Sequence, residues 1–89
     1  MTHYERFLEK VTDEIFEAAC MEGLTWIGLA NKSGLSTTTV YNLGNRDTRF
    51  PQLRTIFLLA KAVGMNVRLL RKEIYNHEAK SQNRKEVNA

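Results

Sequence analysis

Glycines at positions 23, 34, 44 and 64 divide the chain into short segments, within which the apolar residues recur at helical rather than strand spacing. The first segment sets the pattern. Tyr4, Leu8, Val11, Ile15 and Ala18 follow one another at intervals of four, three, four and three, with Phe7 beside the stripe and acids on the outer face. Thr2 with Glu5 three residues later reads as a capping box, and Gly23 as the stop. Thr25 caps a second, short helix, Trp26 to about Ser33, whose buried side is Ile27, Leu29 and Ala30. Ser36 caps a third, Thr37 to about Leu43, ended by Gly44-Asn45. Pro51 opens a fourth at its first position, where a missing amide costs nothing. That helix carries Leu53, Ile56, Phe57, Leu59, Ala60 and Val63, and Gly64 ends it. Asn66 caps a fifth, with Val67, Leu70 and Ile74 at helical spacing. Thr37-Thr38-Thr39-Val40-Tyr41 is β-branched enough to be a strand, but no second strand pattern exists to pair with it. The expected class is all-α with five helices.

At 89 residues the chain is read as one domain, residues 1–77. The stretch from Glu78 to Ala89 (EAKSQNRKEVNA) has almost nothing to bury and reads as a polar, disordered tail. Cys20 is the one cysteine, so no internal disulfide can form, in keeping with a reducing compartment. No apolar run approaches the ~20 residues of a membrane helix, and MTHYERFLEK carries charge where a secretory signal is apolar. The expected location is cytoplasmic, with no membrane partner.

Charge is unevenly placed along the chain. Residues 1–23 hold two bases against six acids, a balance of −4; residues 24–60 hold Lys32, Arg46, Arg49 and Arg54 against Asp47 alone, +3; residues 61–89 hold seven bases against three acids, +4. A basic, nearly acid-free middle suits a polyanion, although chance asymmetry on a solvated surface gives the same count. Catalysis is not expected. His3 and His77 are isolated in sequence, Cys20 has no base beside it, and no phosphate loop, paired-carboxylate motif or metal-ligand spacing is present. No cofactor or metal is expected.

The unit LTWIGLANKSGLSTTTVYNLGN resembles the helix-turn-helix of the lambda-repressor-like and Cro-like (XRE) DNA-binding domains. Ala30 is small where the second and third helices are expected to cross. Gly34 sits in the turn, and Leu29, Leu35, Val40 and Leu43 hold the apolar places. FPQLRTIFLLAKAVGMNV resembles the family's fourth helix and its exit, so the likeness covers about residues 11–75. Three positions depart from the pattern. Ser33 stands where the family is often apolar, Gly28 where it is often polar, and Gly44 comes earlier than the family's closing glycine.

The resemblance implies sequence-specific binding of double-stranded DNA by a small transcriptional regulator, a repressor rather than an activator, acting as a homodimer. A rival of another class is an antitoxin-like subunit that keeps the fold mainly to bind a protein partner. On a wheel of about 100° per residue, Val40 and Leu43 point inward while Thr37, Thr38, Tyr41 and Asn42 point outward. Thr37, Thr38 and Asn42 match the family's base-reading positions, and Tyr41 shares their face but could instead pack along the sugar-phosphate backbone. Threonine offers a hydroxyl and a methyl to base edges, and Asn42 an amide suited to adenine. The alternative is plain surface polarity. Trp26, Ser36, Asn45, Arg46, Arg49 and Arg54 match phosphate-contacting places, with Trp26 equally able to serve as a core or dimer aromatic. Met65, Val67, Leu70 and Ile74 form an apolar stripe for the dimer interface, unless they close the monomer's own core.

Overall fold

The computed structural model describes residues 2–48 and 51–88, with side chains through residue 79. Among these residues every regular element is a helix: α1 His3–Met21, α2 Trp26–Ser33, α3 Thr37–Gly44, α4 Leu53–Ala62 and α5 Val67–Asn88. α2 packs on α3 and α4, while α5 closes the other side against α1 and α4. The core draws on every helix. Leu8, Val11, Ile15 and Ala19 come from α1, Leu29 and Ala30 from α2, Val40 and Leu43 from α3, Ile56, Leu59 and Ala60 from α4, and Leu70 and Ile74 from α5. Two buried hydroxyls satisfy themselves locally. Thr12 donates to the Leu8 carbonyl at 2.9 Å, and Ser33 donates to the Ala30 carbonyl at 3.1 Å while accepting from the Leu35 amide at 3.4 Å. Ser33 thus fills a usually apolar place without leaving a polar atom unpaired.

The helix starts follow the capping residues. The Thr2 hydroxyl accepts from the Glu5 amide and the Glu5 carboxylate accepts from the Thr2 amide. Thr25, Ser36 and Asn66 accept from Gly28, Thr39 and Leu69 at 3.0, 3.1 and 3.2 Å. α4 differs from expectation. Its cap is Gln52, without a side-chain bond, and its first helical residue is Leu53. Pro51 lies one residue outside the cap, where its missing amide is as harmless as at the first helical position.

Four exits share one hydrogen-bond pattern, in which the amide that follows the positive-φ residue reaches back five residues. Leu24 bonds to Ala19, Leu35 to Ala30, Asp47 to Asn42 and Met65 to Ala60, at 2.8–3.1 Å. This turn needs one residue at positive φ. Gly23, Gly34 and Gly64 supply it at 78–79°, but after α3 the residue is Arg46, at 63°. Gly44, expected as the stop, is instead the last helical residue. Its lack of a side chain has another cause: a Cβ there would stand 2.6 Å from two ring atoms of Trp26.

α5 runs on to Asn88, where an irregular tail from Glu78 was expected. The physical reason lies in composition. No glycine or proline follows Gly64, and Glu, Ala, Lys, Gln and Arg recur, so backbone propensity favours helix although little remains to bury.

Candidate functional site

α3 presents two unlike faces. Val40 and Leu43 are buried, while Thr37, Thr38 and Tyr41 are exposed and Asn42 is half-buried. The front of the helix is fixed by its cap, since the Ser36 and Thr39 hydroxyls lie 2.8 Å apart and Ser36 also accepts from the Thr39 amide. Those two hydroxyls are committed to each other. The side chains of Thr37, Thr38 and Asn42 make no hydrogen bond among the described residues, so their donors and acceptors face outward uncommitted. α3 also carries no acid. Three threonines at a helix front therefore divide into two tasks: Thr39 completes the cap, and Thr37 and Thr38 stay available.

Trp26 is a packing residue. It is half-buried, meets Phe16 of α1 edge-on at 5.8 Å, meets Tyr41 of α3 edge-on at 5.0 Å, and lies over Gly44. Its ring ties the start of α2 and the C-terminal half of α3 to α1, and Tyr41 beside it is 39% exposed on the outward face. The indole N–H makes no hydrogen bond among the described residues, so the phosphate-donor reading of Trp26 rests on that group alone.

Arg46 departs from expectation. The sequence places it among phosphate contacts; in the structure its guanidinium is turned back onto α1, 2.8 Å from Glu9 and 3.1 Å from Asp13. Both pairs are solvent-exposed and worth about 0.2–1 kcal/mol each. The backbone beneath sits in the left-handed region, which costs a non-glycine residue roughly 1–2 kcal/mol. The side chain offsets what the backbone costs, and together they fasten the end of α3 to α1. No local sequence signal could have found Glu9 and Asp13 as partners, since they lie 37 and 33 residues away. Arg46→Gly is expected to leave stability within about 1 kcal/mol of the parent, because strain is relieved as the pairs are lost. Arg46→Ala keeps the strain and loses the pairs, so it is expected to be the less stable of the two by about 1 kcal/mol. Urea unfolding of the two variants checks this, and equal midpoints would contradict it.

Asn45 is the exposed C-cap of α3. Arg54 is exposed in the first turn of α4 and lines a groove shared with α5. Arg49 lies outside the described residues.

The proposed dimer stripe is corrected in part. Leu70 is 6% exposed and Ile74 0%, both in the core against α1 and α4, and Met65 and Val67 are half-buried against it. The helix wheel explains this, because the inward side of α5 must close the bundle before it can serve a partner. Among the described residues, the large apolar side chains that α5 does expose are Leu69 and Tyr75.

His3 and His77, remote in sequence, come within 5.7 Å between ring centroids, and His77 stacks on Phe7 at 3.9 Å. Tyr4 nearby has its hydroxyl pKa raised, first by burial and then by the Glu78 charge. Among the described residues no three His, Cys, Asp or Glu side chains gather where a metal could be held, and no helix is long and apolar enough to cross a membrane. Comparison of the chain with protein-family models, curated protein sequences and solved structures finds no match.

Proposed function

We propose that α2 and α3 act as a helix-turn-helix and that the protein is a sequence-specific, double-stranded-DNA-binding regulator, with α3 in the major groove. The observation that carries this reading is the outward face of α3. Thr37 and Thr38 are exposed, the side chains of Thr37, Thr38 and Asn42 make no hydrogen bond among the described residues, and no carboxylate shares the helix. A helix entering the major groove needs short polar side chains at its front and no like charge against the phosphates. The local build supports the reading further. α2 and α3 are each 8 residues long, joined through Gly34 at positive φ, with Ala30 buried between their neighbours.

Base readers on one α3 specify few base pairs, and each good contact discriminates by ~1–3 kcal/mol. A homodimer doubles the reading surface and makes the operator an inverted repeat. Leu69 and Tyr75, exposed on α5, are apolar side chains that could serve that contact; Met21 of α1 and Ile27 of α2, the latter expected on the buried side, are exposed as well. The same two α5 residues support the second reading, an antitoxin-like subunit whose main partner is a protein.

Selection from a random duplex pool tests the function. An enriched inverted repeat is expected, with half-sites about 34 Å apart. Affinity for it should fall with salt at a logarithmic slope of about −0.9 per phosphate neutralised. A pool that stays unenriched contradicts DNA reading and leaves the protein-partner function.

A further inference from the structure

Away from α3, α4 and α5 enclose an open groove of about 680 Å³. Its floor is apolar, made by Phe57 and Leu58 of α4 and Val67 of α5, and its rim is cationic, made by Arg54, Lys61 and Arg71. No acid lines it. The Arg71 guanidinium lies over the Phe57 ring, 5.1 Å from the centroid. Among the described residues none of the three cations is in an ion pair, whereas Arg46 and Lys32 both are. The groove therefore combines apolar surface, half-exposed to water, with three positive charges that pair with no acid among the described residues.

The combination narrows the ligand. A bare phosphate, or a DNA backbone, would use the cations and leave the floor wet. A neutral apolar molecule would cover the floor and leave the cations unused. The volume falls within the ~300–1,000 Å³ of small-molecule sites. We propose that this groove binds a small anionic amphiphile: an apolar, ring-sized body on Phe57, Leu58 and Val67, with a carboxylate or sulfonate held by Arg71 and Lys61. The Arg71 fork accepts such a headgroup in two-pronged fashion, and its stacking on Phe57 holds it in place beforehand. The site uses none of the outward residues of α3, so it stands or falls apart from DNA reading.

Anilinonaphthalenesulfonate, an anionic aromatic whose fluorescence rises in apolar surroundings, is the probe, and neutral N-phenylnaphthylamine is its control. With folded full-length protein, saturable binding of one sulfonate probe per chain is expected. Binding should weaken roughly tenfold or more in the double variant Lys61→Gln/Arg71→Gln, from loss of charge-assisted bonds. The neutral probe should bind the parent about as weakly. Leu58→Ala should weaken both probes, and Lys10→Gln, in the separate α1–α5 groove, should change neither. Helical circular dichroism of each variant establishes that the fold is intact. Non-saturable binding, equal binding of the two probes, or indifference to the double substitution would overturn the proposal. So would a fall in sedimenting mass on the same substitution, which would make the groove an interface between copies. Loss of duplex affinity in step with probe affinity would assign the cations to phosphate and overturn it too.

Discussion

Ile74→Ala is expected to destabilise the fold by about 2–5 kcal/mol, and by the same amount at every protein concentration. Ile74 is 0% exposed within a single chain, on the side of α5 that packs against α1 and α4. Truncation removes its burial and leaves a cavity among residues that already fill their places. A residue serving a dimer interface would behave otherwise: its truncation would cost most at high concentration, where the parent is dimeric, and little on dilution. Leu69→Ala is the matching control. Leu69 is 57% exposed, so its truncation should change monomer stability by no more than about 0.5 kcal/mol. Urea unfolding at two protein concentrations a hundredfold apart separates the cases. A small effect at Ile74, or one that shrinks on dilution, would contradict its assignment to the core.

The helices were legible because their signals are local. The Thr2–Glu5 box, the caps at Thr25, Ser36 and Asn66, and the apolar spacing in α1 each act within four residues, and each appears as read. What was misread depends on distance. Gly44 looks like a helix stop, but its smallness answers to Trp26, eighteen positions earlier in the chain. Arg46 looks like one more basic loop residue, but its partners are on α1. Leu70 and Ile74 show as an apolar stripe either way, and only packing tells whether the stripe faces the chain's own core or a neighbour. α5 beyond Glu78 shows a different limit. Burial arguments end an element where apolar residues stop, whereas backbone propensity can carry a helix on. For the outward face of α3 the sequence sufficed, since Val40 and Leu43 fix which side is in and the others follow at about 100° per residue.

The other large effect concerns that face. Replacing Thr38 and Asn42 together by alanine is expected to leave the fold intact, as neither side chain makes an internal hydrogen bond among the described residues and neither is core. The loss should fall on discrimination between duplexes, at ~1–3 kcal/mol for each base contact removed. On the proposed reading the phosphate contacts lie elsewhere and carry no sequence information, so binding to unrelated duplexes should hardly change. The deciding measurement is fluorescence anisotropy of the parent and of Thr38→Ala/Asn42→Ala on two duplexes, the selected site and a scrambled one of equal length, at one fixed salt concentration. The expected result is a specific-to-scrambled affinity ratio reduced roughly tenfold or more in the variant, with scrambled-site affinity unchanged. A ratio equal to the parent's, or equal losses on both duplexes, would contradict the claim that the outward face of α3 reads bases.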